Sequence, residues 1–186
     1  MSTVSALPSP TSLLEETKGE ETNGSALYAI EVGGKHGFMD SRGQTVIQPT
    51  FEDVWGFQEG LAAVKKDNKW GFIDRTGRMV IEPQYHEVWL FSDGLAAFWE
   101  DGKLGYIDKT GRTVMEPRFS DARSFSEGLA LFIEDEKRGF IDKTGRVVIA
   151  ARFPDAADEF REGLAVAVEP GLLGGRWVTS TTPGSS

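Results

Sequence analysis

The sequence predicts an all-β fold of tandem units of thirty-four residues, each a three-stranded antiparallel meander, stacked into an open solenoid-like array. Three observations predict it. Shifted by thirty-four residues, the chain superimposes Gly37, Gly71, Gly105 and Gly139, then Asp40, Asp74, Asp108 and Asp142, then Gly43, Gly77, Gly111 and Gly145. Within one unit, Leu61 to Gly94, the apolar runs LAAV, WGFID and RMVI are short and are broken by DNK, RTG and Glu82-Pro83. A helical hairpin of the same period could not tolerate that punctuation, whereas strands of four to six residues joined by tight turns require it. Finally, a unit this short cannot bury a face alone, so neighbours must stack. A small closed β-propeller is the alternative arrangement; thirty-four residues is short for a four-stranded blade, but the extra strand LAVAVEP after the fourth unit could close a ring.

The elements follow in order. Residues 1–24 carry no aromatic side chain and are rich in Ser, Thr, Glu and Pro, which predicts a disordered acidic tail. The array spans residues 25–170, in units 27–60, 61–94, 95–128 and 129–163, with a partial fifth unit over 164–178 and a second disordered tail over 179–186. Each unit begins with a strand after F-x-(Asp/Glu)-G and continues, after a short turn, into the strand Gly-aromatic-(Ile/Met)-Asp. The turn that follows has a physical logic: the Asp74 carboxylate can accept hydrogen bonds from turn NH groups, and Gly77 can take positive φ. In the third strand the pairs Val46 and Ile47, Val80 and Ile81, Val114 and Met115, Val148 and Ile149 predict burial on both faces. Leu61, Leu95, Leu129 and Leu164, with Phe38, Phe72, Tyr106 and Phe140, are the rest of the expected core. Pro49, Pro83 and Pro117 read as strand stops, a stop lost at Ala151. A longer return loop then leads through Phe57, Phe91, Phe125 or Phe160 to the next unit, with one inserted residue in the fourth copy.

W-G-F-I-D-x-x-G-R, then I-x-P-x-(Phe/Tyr), then F-x-(Asp/Glu)-G-L-A resembles the bacterial WG-repeat family, also called KWG repeats, over roughly residues 25 to 170. The tryptophan of the family name survives only as Trp70; the other units carry His36, Leu104 and Arg138 there. The resemblance implies a β-repeat array with a binding or scaffolding role and no catalytic residues to transfer.

Composition narrows the function classes. A net charge of −9 argues against nucleic acid or an anionic membrane as the partner, since phosphate contacts need a concentrated positive face. There is no basic start followed by an apolar leader and no apolar run long enough to span a bilayer, so the expected compartment is the cytoplasm. With no cysteine there is neither a disulfide nor a thiolate metal site. His36 and His86 fall at different repeat positions and no nucleophile with a base can be assembled, so the chain reads as a nonenzyme without cofactor or metal. The repeated Asp of the turns stands alone in each unit, unlike the clustered carboxylates of a calcium loop.

Two sets of residues remain as candidate contact sites. Arg75, Arg78, Lys109, Arg112, Lys143 and Arg146 fall in or beside the second turns and would form a basic edge, with the acidic return loops along the opposite edge. Such an edge either docks a partner or keeps turn tips soluble. Trp55 and Trp89 lie one period apart in the return loops, where the next unit has Arg123, and Trp99 adds an indole in a first strand. Stacking accounts for positions that repeat and leaves those that vary to serve a partner; the competing reading is that these rings fill grooves between units. The function predicted is a noncatalytic binding or scaffolding module for protein or peptide partners. Carbohydrate binding is the alternative, and a purely structural spacer is a third reading that requires Trp55 and Trp89 to be buried.

Overall fold

The computed structural model describes residues 26–153 and, beyond them, the backbone of the strands Asp155–Ala156, Leu164–Val168 and Arg176–Thr179. The tails expected over 1–24 and 179–186 lie outside the described residues, Thr179 excepted. Every described element is a strand, and five separate antiparallel sheets follow one another along the chain, none closed into a barrel. The first holds β1 (Leu27–Val32), β2 (Lys35–Asp40) and β3 (Thr45–Phe51). The second holds β4 (Asp53–Val54), β5 (Leu61–Lys66), β6 (Lys69–Asp74) and β7 (Met79–Tyr85). The third repeats it as β8 (Glu87–Val88), β9 (Leu95–Glu100), β10 (Lys103–Asp108) and β11 (Thr113–Phe119), and the fourth as β12 (Asp121–Ala122), β13 (Leu129–Glu134), β14 (Lys137–Asp142) and β15 (Val147–Phe153). The fifth holds β16 (Asp155–Ala156), β17 (Leu164–Val168) and β18 (Arg176–Thr179), so the LAVAV run forms the central strand of a further sheet.

The predicted three-stranded meander is present, and the return loop adds a strand to it. Val54 pairs with Val64, Val88 with Phe98 and Ala122 with Phe132, so each of these sheets takes its outer strand from the thirty-four-residue unit before it. Consecutive units are therefore tied by backbone hydrogen bonds as well as by packing. The hairpins between the first two meander strands close on two residues of positive φ, Asp67-Asn68 or Asp101-Gly102 for example, the conformation whose twist matches that of the strands it joins. The return loops end on a similar turn: Gln58 and Leu61 exchange both backbone bonds around Glu59 and Gly60, at φ 49° and 87°.

The third strands depart from expectation in two ways with one cause. Across the second sheet Ile73 pairs with Met79, Phe72 with Ile81 and Trp70 with Tyr85, so β7 carries extra residues at Val80 and again around Pro83. The same register shifts recur in the first, third and fourth sheets. These are β-bulges, and a bulge re-aims a side chain and leaves an NH unneeded. Val46, Val114 and Val148 are consequently exposed rather than buried, and Val80 only half-buried, which corrects the expectation of two-sided burial. Pro49, Pro83 and Pro117 sit inside strands, not at their ends, and Ala151 occupies the same place in β15. The bulge also accounts for the glycine of each Gly-aromatic pair. A Cβ on Gly71 would run into the Ile81 carbonyl oxygen and lie 2.7 Å from Pro83 N, because the bulged backbone passes directly over it.

In the second, third and fourth sheets the first two meander strands are buried on both faces, whereas β1 of the first sheet is largely exposed. In the second sheet Ala62, Val64 and Ile73 join Phe38, Ile47 and Phe51 of the first sheet, while Leu61, Ala63, Trp70 and Phe72 join Ala96, Phe98 and Ile107 of the third. Leu95, Tyr106 and Met115 likewise meet Ala130, Phe132 and Ile141 of the fourth. The return-loop rings cap their own unit's second strand, Phe57 on Phe38, Phe91 on Phe72 and Phe125 on Tyr106, at 4.8 to 4.9 Å between centroids. Burying a large apolar side chain stabilises by roughly 1.5 to 3 kcal/mol, so each inter-sheet layer rests on several such rings.

Candidate binding surface

Both kinds of charged turn meet at one end of the sheets. In every hairpin the start of the first meander strand lies across from the end of the second, as Leu61 does from Asp74 and Leu95 from Asp108. The turn entering the first strand is thus beside the turn leaving the second. This corrects the expected separation into opposite basic and acidic edges: Glu52, Asp53, Glu87 and Asp121 go to the far end, but Glu59, Asp93 and Glu127 stay among the basic turns. Lys109 Nζ lies 3.1 Å from Glu59 Oε2, and the Gly94 NH donates to the same oxygen at 3.0 Å. One period on, the Asp93 carboxylate takes Lys143 Nζ and the Gly128 NH, each at 2.5 Å. A single carboxylate thereby ties together turns from three successive units.

Within each second turn the aspartate acts as foreseen. Asp74 Oδ1 accepts the Thr76 NH at 2.9 Å, the Thr76 hydroxyl at 2.6 Å and the Arg78 NH at 3.1 Å, and Gly77 takes φ 84°. The threonine hydroxyl holds the carboxyl groups of Asp74, Asp108 and Asp142 below their ordinary value; burial opposes it, and the turn NH groups add to the lowering. Of the predicted basic edge, Lys109 and Lys143 are engaged in the ties just described, and Arg75 lies over the Phe57 ring at 5.3 Å. Arg78, Arg112 and Arg146 are the outward members; the Arg78 side chain is 81% exposed and 3.9 Å from Asp74 Oδ2.

The positions that vary between units gather at the opposite end. A row of facing residues crosses each sheet there: Asp53, Lys65, Trp70 and Tyr85 in the second, Glu87, Trp99, Leu104 and Phe119 in the third, Asp121, Ile133, Arg138 and Phe153 in the fourth. Trp55, Trp89 and Arg123 flank these rows, each held by its NH, which donates at 2.9 Å to Ala63, Ala97 or Leu131. Their side chains do different things. Trp89 and Trp99 are half-buried and pack on the core between the third and fourth sheets. Arg123 reaches Asp121 Oδ1 at 2.8 Å, and its carbonyl accepts the Tyr106 hydroxyl at 2.6 Å, whose ionisation burial pushes well up. Trp55 is 39% exposed and meets Trp70 edge-on, 5.5 Å between centroids at 60°, with Trp70 itself only 7% exposed.

Of the four predicted contact residues, Trp55 alone combines an exposed indole with an aromatic support beneath it. Two of its neighbours escaped the sequence reading. Trp70 is the ring it rests on, and Lys65, directly across from Trp70 on β5, brings its ammonium within 6.0 Å of the Trp70 centroid. Among the described residues no carboxylate lies within ion-pair distance of Lys65; Asp53, facing it on β4, turns its carboxylate to the Val54 NH at 2.8 Å. The signal was available in the columns of the repeat, where position 65 becomes Trp99 and Ile133 just as position 55 becomes Trp89 and Arg123.

Comparison with known proteins adds two findings. A family model described as WG containing repeat matches four times, over residues 37–70, 70–103, 105–137 and 139–169. A search of curated proteins gave no match.

Proposed function

The chain belongs to the WG-containing repeat family, and from that premise we propose that it is a noncatalytic module that binds a protein or peptide segment through the variable rim around Trp55. The observation that carries the reading is the contrast between equivalent positions: Trp89 is packed into an inter-sheet core, whereas Trp55 keeps an exposed ring over a buried one. A large aromatic whose packing role has been taken by its neighbour is available for contact, and aromatic anchors of this kind dominate binding energetics. The rigid setting favours it too, since a residue whose backbone is fixed by its NH bond and whose ring meets a buried one edge-on loses little freedom on binding.

The test is a parallel selection from a random peptide library and a glycan array, run with the parent and with Trp55→Ala. Enrichment of a peptide consensus that Trp55→Ala loses, with the fold retained and the melting temperature lowered by no more than a few degrees, is the expected result. Glycan binding in place of peptide enrichment, or binding unchanged in the variant, would refute the proposal.

A further inference from the structure

Resting on the reading of Trp55 as a contact residue, we infer that the segment it recognises carries a carboxylate next to an aromatic or aliphatic side chain, the apolar group stacking on Trp55 and the carboxylate reaching Lys65. The inference begins with how the cations near the sheets are held. Lys109, Lys143 and Arg123 each have a carboxylate at 2.5 to 3.1 Å. Among the described residues the half-buried Lys65 has only the Trp70 ring, at 6.0 Å, the outer limit of a useful cation–π contact.

The nearby acids do not fill that role. Glu52 spends both carboxylate oxygens on the Asp67 and Asn68 NH groups at 3.0 Å, and Asp53 is turned to the Val54 NH. A half-buried ammonium beside the Trp70 indole is less well hydrated than one on an open lysine, so an arriving carboxylate meets a stronger attraction there than at the general surface. The apolar half of the ligand follows from the exposed Trp55 face. Trp55 and Lys65 stand on neighbouring strand segments of one sheet, Trp55 donating to Ala63 and Lys65 following two residues later on the same strand. Adjacent residues of one peptide can therefore span them. A neutral sugar would leave Lys65 unused, and the equivalent places in the next two sheets, Trp89 with Trp99 and Arg123 with Ile133, do not pair an exposed indole with a lysine.

The probes are two acetylated, amidated hexapeptides, Gly-Ser-Phe-Glu-Ser-Gly and its Gln counterpart, with glucuronate as a third arm, each titrated to about 10 mM while the Trp55 indole resonance is followed. The expected result is that the Glu peptide binds about five- to tenfold more tightly than the Gln peptide. Lys65→Gln should erase that difference, Lys65→Arg should keep most of it, and Trp55→Ala, followed through the indole resonance of the neighbouring Trp70, should abolish both interactions. Equal affinities for Glu and Gln peptides, or a preference that survives Lys65→Gln, overturns the carboxylate inference and leaves the Trp55 contact standing. Neither peptide moving the Trp55 resonance overturns both, and glucuronate binding in their place replaces the peptide reading with a sugar acid. Because the readout in the parent protein needs no substitution, a variant that fails to fold does not spoil the test.

Discussion

Gly71→Ala tests the account of the bulge. The new Cβ would stand 2.7 Å from Pro83 N and 2.9 Å from Glu82 C, and closer still to the Ile81 oxygen, where ordinary contact begins at 3.4 Å. All three are backbone atoms, so no rotamer change can make room, and β7 must draw away from β6. Overpacking of a tight interior costs about 1 to 3 kcal/mol, and stretching one or two flanking ladder bonds adds about 1 kcal/mol each, giving about 3 kcal/mol in total. Gly60→Ala is the control: that glycine, unlike Gly71, has a φ, 87°, that disfavours alanine, but nothing lies within 4 Å of the added atom, so only the backbone term of about 1 kcal/mol applies. Urea unfolding followed by tryptophan fluorescence and far-ultraviolet circular dichroism measures both, coincidence of the two probes securing the free energies. Gly71→Ala should be the worse by about 2 kcal/mol. Equal losses would refute the view that close approach of the bulge, rather than conformational freedom, demands glycine there.

Three further outcomes follow from the same geometry. Thr76→Val removes the hydroxyl that contributes most to lowering the Asp74 carboxyl. A carboxyl lowered on folding stabilises fully above its unfolded value, near 3.8, and the contribution is lost as pH falls through the folded value, so the difference between parent and variant should be full at pH 7 and shrink as pH falls below 3.8. An undiminished difference at pH 2 would count against the hydroxyl's role. Asp93→Asn weakens the tie to Lys143 and Gly128; with side chains 43% and 29% exposed, the loss should be at most about 1 kcal/mol and should shrink in molar salt, as paired melts at low and high salt would show. Trp89→Ala empties part of an inter-sheet core and should cost about 2 kcal/mol, whereas Trp55→Ala forfeits chiefly one edge-on contact, about 1 kcal/mol; the reverse order in urea titrations would undo the assignment of Trp89 to packing and Trp55 to the rim.

The sequence made the period, the strand type and the turn chemistry legible because each has a local cause. Asp74 and Gly77 act within four residues of each other, and Leu61, Phe72, Tyr106 and Phe140 are buried as their apolar character requires. What it did not disclose depends on register. The pair Val80-Ile81 looks like any two-sided strand until one counts partners on β6 and finds one residue too many. Pro83 looks like a terminator because the general rule concerns regular ladders, and a bulge is where the rule relaxes. The placing of Glu59 beside Lys109 was hidden for a related reason: return loops cross from one end of the sheets to the other, so acids from a single loop, Glu52 and Glu59, finish at opposite ends. Trp55 was found from the sequence because it varies, but Lys65 and Trp70 become its neighbours only through the pairing of β4, β5 and β6.

That pairing also accounts for why, among the described residues, a single unit has an exposed indole. At the variable end each interface has one volume to fill, and different units fill it with different residues. In the second sheet Trp70 goes inward at the centre of the row, Trp55 rests on its edge, and the outer indole face is left to solvent. In the third, the smaller Leu104 takes the central place, and Trp89 and Trp99 lean in to complete the core. In the fourth, Arg138 and Arg123 replace the rings altogether, and Phe153 lies buried behind them. The glycines and carboxylates at the other end are meanwhile held to one pattern, since Gly77, Gly111 and Gly145 must each seat against Ile47, Ile81 or Met115 of the sheet before. An array locked at one end by turns that cannot change can vary the other end freely within the volume rule, and exposure of Trp55 is the consequence of a tryptophan at position 70.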